Sequence, residues 1–176
     1  MAISGKQDEL RYGFWLLLHN TQGLIAKSQK SYFRKEAGVF YPQFLVLMTV
    51  ASSETLITET EIAKRLQRNL NSISMIIDRM VKQSLVTRAK SERDRRLTLV
   101  KLTEKGKEKL ALGRKTGGTL LHRLTQSLTM KEIQIFSGLL RKLRNDALRE
   151  LGQEVETDEE VGKQPGVKPA KQRKSK

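Results

Sequence analysis

The sequence predicts a mainly α-helical fold with one small β-hairpin, a winged helix-turn-helix set between long N- and C-terminal helices. Three observations carry that expectation. Two short helical patterns, each opened by a capping residue, follow one another between Thr58 and Gln83. A charged hairpin pattern comes directly after them, from Leu85 to Leu102. Longer amphipathic patterns without proline flank this unit on both sides.

Taken in order, Leu10, Phe14, Leu17, Leu18, Leu24, Ile25, Ser28 and Tyr32 recur at close to 3.6 residues and predict one long helix over about 8–37. Gly38 supplies its stop signal. Phe14, Trp15 and Tyr32 are read first as packing residues. Pro42 suits the first turn of a helix from Tyr41 to about Ala51, where its missing N–H costs nothing. Phe44, Leu45, Leu47, Met48 and Val50 make that helix apolar on more than one side, so it should be buried. Ser52, Ser53 and Glu54 end it.

Thr58 and Glu61 then form a capping-box pattern, opening a helix with Ile62, Ala63 and Leu66 inward. Asn69 caps the next, whose inner positions are Ile73, Ile76, Ile77, Met80 and Val81. About three to five residues separate the two, the spacing of a helix-turn-helix over about 58–83. The run Leu97-Thr98-Leu99-Val100-Lys101-Leu102 alternates apolar and polar, as a half-buried strand does, and pairs with Leu85 to Ala89. The joining loop, KSERDRR, is too polar to pack, and about 85–102 becomes the wing. Thr103 caps a further helix with Leu110, Leu112, Leu120, Leu121 and Leu124 on one face. Gly113, Gly117 and Gly118 each cost it roughly 1 kcal/mol relative to Ala, so its middle should be soft or closely packed. Thr129 with Glu132 opens the last helix, striped by Ile133, Phe136, Leu139, Leu140, Leu143, Ala147 and Leu148. Beyond this 1–151 domain, with dimerisation helices at about 8–37 and 103–151, residues 152–176 read as a disordered charged tail.

Composition narrows the function. Thirty-four Lys+Arg against 19 Asp+Glu give a net charge of +15, which calls for an anionic partner, nucleic acid before an anionic membrane surface. The absence of cysteine excludes disulfides, thiolate zinc sites and thiol-based peroxide sensing, and fits a reducing cytoplasm. The apolar run near the N-terminus follows Asp8 and Glu9 and stops at His19, too short for a membrane span and unlike a signal peptide. His19 and His122 have no ligand partners at metal spacing. Gly117-Gly118 follows no strand and the serines lack a paired His and acid, so no catalytic, metal or cofactor site is expected.

The second short helix offers Asn71, Ser72, Ser74, Met75 and Arg79 away from its isoleucines. Small polar side chains there let the backbone approach a major groove, where they bond base edges or phosphates. In the wing, Arg93, Arg95 and Arg96 flank Asp94. A guanidinium enters a narrow minor groove readily, and a nearby Asp holds it extended. Arg88 and Lys90, with Lys101, would then touch the DNA backbone and fix position without reading sequence.

DRRLTLVKLTEKG resembles the wing and following helix of the multiple antibiotic resistance regulator (MarR) family, with its Asp-x-Arg and Leu-Thr-x-x-Gly pattern. NSISMIIDRMVKQSLVTR resembles that family's recognition helix leading into the wing. The likeness spans roughly residues 8 to 150. It implies a dimeric winged-helix transcription regulator, most often a repressor, with interleaved terminal helices, Asp94 and Arg96 as the wing pair, and Ser72 and Ser74 at the small-polar recognition positions. Ser84 departs from the pattern, which usually has Gly there. YPQFLVL resembles the organic-hydroperoxide-sensing branch, but that branch uses a cysteine this chain lacks.

Without the family, the apolar stripes of the flanking helices exceed what one winged helix can cover, and a two-fold axis would bury them. A homodimer presents two recognition helices about one DNA turn apart and predicts a pseudo-palindromic operator on double-stranded DNA. The resemblance further implies a small aromatic or phenolic effector, for which Trp15, His19, Tyr32 and Arg34 are the candidate cleft. The alternative reading is an architectural or RNA-binding winged helix that works by charge alone.

Overall fold

The structure, a computed structural model, describes residues 5–53, 55–91, 94 and 97–153. Six helices and three strands follow in the order α1 (Lys6–Glu36), α2 (Tyr41–Ala51), β1 (Ile57–Thr58), α3 (Glu59–Arg65), α4 (Leu70–Lys82), β2 (Val86–Lys90), β3 (Thr98–Leu102), α5 (Glu104–Thr125) and α6 (Met130–Glu150). The expected tail lies, from residue 154 on, outside the described residues.

Each capping signal acts where it was read. Thr58 Oγ1 accepts from Glu61 N at 3.2 Å, and Asn69 Oδ1 accepts from Ser72 N at 2.8 Å. Thr103 and Thr129 do the same for α5 and α6. Pro42 lies in the first turn of α2.

The sheet corrects the expectation of a two-stranded hairpin. It has three antiparallel strands in the order β1-β3-β2, with Ile57 opposite Val100 and Arg88 opposite Val100 on the other side. Two residues carry no readable alternation, and β1 exists because Ile57 buries its side chain (2% exposed) against a strand forty residues away. The distant pairing, not local propensity, makes this strand.

The core gathers around α2. Val46, Leu47 and Thr49 are fully buried, as are Ile62 of α3, Ile73, Ile77 and Met80 of α4, and Val86 and Val100 of the sheet. On α4, Ile76 is half-buried and Val81 is exposed, a narrower inner face than expected. Phe33, the buried residue of α1, meets Phe44 at a centroid distance of 4.8 Å and Tyr41 at 5.0 Å, edge to face.

These rings explain the α5 glycines. A Cβ on Gly113 would overlap the Phe44 ring, and one on Gly117 would stand 3.3 Å from Phe33 Cζ. Gly118 faces open space. The helix runs unbroken, so close packing, not softness, accounts for two of the three glycines.

Elsewhere the apolar stripes are left open. Leu10, Phe14, Leu17 and Leu24 of α1, Leu121 and Leu124 of α5, and Phe136, Leu139 and Leu140 of α6 remain exposed. Leu148 is the buried residue of α6.

The exit of α4 is a Schellman turn. Leu85 N–H reaches Met80 O at 2.9 Å and Ser84 N–H reaches Val81 O at 2.9 Å, with Leu85 and Met80 both buried. Such a turn places the residue after the cap in the left-handed region, and Ser84 has φ 56°. The exit of α3 repeats the pattern, with Arg68 N–H to Ala63 O, Gln67 N–H to Lys64 O, and Gln67 at φ 50°. Both turns carry side-chain-bearing residues where glycine is unstrained.

Two stability outcomes follow from this packing. Gly113→Ala should lose about 1–3 kcal/mol through overpacking against Phe44, whereas Gly118→Ala should gain roughly 0.5–1 kcal/mol. Denaturant titration of the two variants tests the contrast, and equal effects would contradict it. Ser84→Gly and Gln67→Gly should each raise stability by about 1 kcal/mol, read as a higher urea midpoint with an unchanged slope. A loss at either position would mean that the hydroxyl or amide matters more than the backbone strain.

Candidate nucleic-acid interface

The exposed face of α4 is made by its register against the core. Ile73, Ile77 and Met80 point inward, which turns Asn71, Met75, Asp78, Arg79 and Lys82 to the surface. Ser72 and Ser74 are half-buried at the margins of this face. The helix-turn-helix thus presents Asn71, Met75 and Arg79 as read from sequence, with the two serines at its edges.

A polar clasp ties this helix to α3 and the sheet. Arg88 of β2 donates through Nε to Glu59 Oε1 at 2.7 Å and through Nη1 to Asp78 Oδ1 at 2.6 Å. Its Nη2 lies 2.7 Å from the same Glu59 oxygen. Ser74 donates to Glu59 Oε2 at 2.6 Å. Partial burial works against the Arg88 charge, but the hydrogen bonds it donates to Asp78 and Glu59 outweigh it and push the guanidinium pKa up. Arg88 was expected to reach a DNA phosphate. In this chain it is committed to two carboxylates and links β2 to α3 and α4.

Sequence reasoning missed Glu59 and Asp78. The available signal was charge: an acid at the start of α3 and another on the outer face of α4, both unexplained beside an arginine-rich hairpin.

At the wing, β2 and β3 pair from Val86 opposite Leu102 to Lys90 opposite Thr98. Lys90 Nζ donates to Thr98 Oγ1 at 3.2 Å. Ser91 N–H to Leu97 O (3.0 Å) and Leu97 N–H to Asp94 O (2.9 Å) narrow the loop, and Asp94 N–H meets Ser91 Oγ at 3.3 Å. Arg93, Arg95 and Arg96 lie outside the described residues.

The junction with α5 is equally well determined. Thr103 Oγ1 donates to Ser84 O at 2.6 Å and accepts from Gly106 N, while Lys105 Nζ holds Gln83 O at 3.0 Å. A Cβ on Gly106 would run into the Leu85 carbonyl. The Thr and Gly of the Leu-Thr-x-x-Gly pattern are therefore the residues that seat α5 against the exit of α4.

Residues 41–98, from the start of α2 to the first residue of β3, match the MarR family model. Over this third of the chain the likeness is to the MarR family. It is 33% identical over 90 residues to the organic hydroperoxide resistance transcriptional regulator of Bacillus subtilis, covering 51% of this chain and 60% of that one. The match thus spans less than two thirds of that relative's length. The transcriptional regulator MgrA of Staphylococcus aureus is 28% identical over 99 residues, 56% of this chain and 67% of its own. The reduced form of MarR from E. coli superposes with a TM-score of 0.61 at 29% identity, over 72% of this chain and 93% of that one. An organohalide-sensing transcriptional regulator, solved with 2,4-dichlorophenol bound, shares the fold with a TM-score of 0.75 at 20% identity, over 88% and 92%. These MarR relatives are transcription regulators, not enzymes.

The four effector-cleft candidates are not brought together within this chain. Trp15 and His19 lie one turn apart on α1, but Tyr32 is about 20 Å further along at 1.5 Å per residue. Tyr32 packs under the Arg123 guanidinium of α5, 5.7 Å from its ring centroid. Arg34 borders a shallow depression with Lys27, Lys30, Ser31 and Lys35. Among the described residues, no group of three or more His, Cys, Asp or Glu is placed to hold a metal ion.

The cap of α3 makes the helix-turn-helix sensitive to acid. Glu61 accepts from the Thr58 backbone N–H and hydroxyl, both at 2.8 Å, and these bonds hold its pKa below the ordinary 4.5. A depressed native pKa gives stability that is present above pH 4.5 and lost as the pH falls through the native value. Glu61→Gln keeps an acceptor without a titrating proton, so its melting temperature should fall less steeply between pH 5 and pH 3 than the wild type's. Parallel acid limbs would remove Glu61 from that transition.

Proposed function

We propose that this protein is a homodimeric, sequence-specific DNA-binding transcription regulator that represses from a pseudo-palindromic operator. The observation that carries the reading is the exposed polar face of α4, locked by Arg88 at a set angle to the wing. Rigid presentation of one helix beside a basic hairpin is what base reading requires, because the groove tolerates little angular error. Asn71, Ser72, Ser74, Met75 and Arg79 take the major groove. The wing, with Lys90 and the sequence Arg93-Asp94-Arg95-Arg96, takes the adjacent minor groove and backbone. Arg88 serves this interface from behind, through the clasp.

The open apolar faces of α1, α5 and α6 support the homodimer. Leu17, Leu24, Phe136 and Leu139 are each more than a third exposed, and among the described residues no other element packs extensively on α6. Residues 1–151 form the dimerising DNA-binding domain in this reading, with 152–176 as a charged tail. None of the described helices is long and apolar enough to cross a membrane, and the cytoplasm is the compartment we assign. A small aromatic or phenolic effector is part of the proposal, supported by the dichlorophenol in one structural relative. Trp15 and His19 would meet Tyr32 and Arg34 only if the second protomer's helices close the cleft. The hydroperoxide response named for the Bacillus relative does not transfer by thiol chemistry, since this chain has no cysteine.

The test is a salt series on two duplexes, one from the region flanking the protein's own gene and one of scrambled sequence. Binding to the first should be at least about a thousandfold tighter, should protect two half-sites one turn apart, and should weaken steeply between 50 and 200 mM salt. Aromatic carboxylates or phenols added to that complex should release it. Equal affinity for both duplexes would favour the architectural reading and sink sequence-specific regulation.

A further inference from the structure

Ser74 stands at the edge of the exposed face of α4, one turn before Asp78. A serine hydroxyl has one proton and two lone pairs, so a free serine donates or accepts with equal ease. Here the proton is spoken for. Glu59 receives Arg88 on Oε1 and Ser74 on Oε2, the latter at 2.6 Å, and a carboxylate ion-paired with arginine has no hydrogen to give. Half-buried Ser74 therefore has only lone pairs to offer a further partner. Asp78 is half-exposed, and Arg88 holds its Oδ1 at 2.6 Å. Its carboxylate too only accepts.

We propose that Ser74 and Asp78 form an acceptor-only edge of α4, preset by Glu59 and Arg88, which selects an exocyclic amino group in the major groove: cytosine N4 or adenine N6. The inference rests on the reading of α4 as the base-reading helix. In that groove cytosine and adenine present an amino donor, while guanine O6 and N7 and thymine O4 are acceptors. Lone pairs set against O6 or O4 repel, so the edge excludes two bases as well as favouring two. Without Glu59, the hydroxyl would turn and donate to O6 or O4, and the exclusion would vanish. Glu59 touches no base in this scheme. It is a positioning residue that converts an indifferent hydroxyl into a selective one.

The experiment is a selection from a randomised duplex library by full-length wild type, Ser74→Ala and Glu59→Ala, with the bound fractions sequenced. Wild type should enrich a motif in which at least one position per half-site prefers cytosine or adenine by roughly threefold to tenfold. Ser74→Ala should weaken that preference while the other positions hold. Glu59→Ala should admit guanine and thymine at the same position. Thermal unfolding checks that each variant is folded, and Ser74→Ala keeps the test open should Glu59→Ala unfold. Motifs identical to wild type in both variants overturn the proposal. A wild type that enriches no motif overturns the reading of α4 itself, and the proposal with it.

Discussion

The Phe44 ring lying over Gly113 is the contact on which the rest of the arrangement depends. It lets α2 sit close enough to α5 for Phe33 of α1 to join the same aromatic cluster. Through that cluster the long helices are joined to the helix at the centre of the winged domain. From α2, whose Val46 and Leu47 are fully buried, the chain of contacts runs on to α3, α4 and β3. A polar tie runs beside it, with Gln43 Nε2 donating to Gln83 Oε1 at 2.8 Å. Interiors this closely packed move as units, so a shift of α1 against α5 has to carry α2 and the C-terminal end of α4 with it. The fold thus places any effect on the long helices one buried layer from α4.

The orientation of α4 is determined at both ends and along one side. Asn69 caps its start, the Schellman turn at Ser84 ends it, and Thr103 pins that turn to α5. Arg88 closes the flank. Non-glycine residues in the left-handed region at Gln67 and Ser84 mean that these turns are held by their surroundings rather than by local preference. Ser84 keeps its strained conformation because Thr103 hydrogen-bonds its carbonyl and because Leu85 and Met80 bury the step that follows. That is the physical content of the departure from glycine noted in the sequence. The left-handed φ is adopted all the same, and neighbouring contacts offset its cost.

Local features were legible and distant ones were not. Thr58, Asn69, Thr103 and Thr129 act as caps because a cap needs only three or four residues to be recognised, and Pro42 marked α2 for the same reason. The inner face of α4 could be counted off by period. By contrast, β1 has no period, and its existence depends on Val100. Phe33 was not singled out among the aromatics of its helix, and only the glycine groove of α5 distinguishes it from Phe14 or Trp15. The α1 stripe over Leu10 to Leu24 was expected to exceed what one winged helix can cover, and in this chain it is open. A stripe records that burial is needed and says nothing about which chain supplies it. Among site residues, the surface of α4 was foreseen, but the clasp joins residues up to 29 positions apart on three elements. The wing arginines lie outside the described residues and stay with the proposal.

Net charge and local charge act at different ranges here. The chain carries +15, but one edge of α4 is lined by Glu59, Asp78 and a serine with its proton committed. If attraction to DNA were the only task, acids at that edge would be a defect, since each opposes phosphate approach. At physiological salt, charges are screened beyond about 8 Å, so the net positive field draws the duplex in while contact geometry decides which face it accepts. Arg88 keeps the two acids compatible with that approach by holding both at once. Lysine in its place, a single point charge without a fork, could not span Glu59 and Asp78 in fixed geometry. In the proposed reading, the basic character of the chain accounts for binding, and the few carboxylates within reach of the helix account for discrimination.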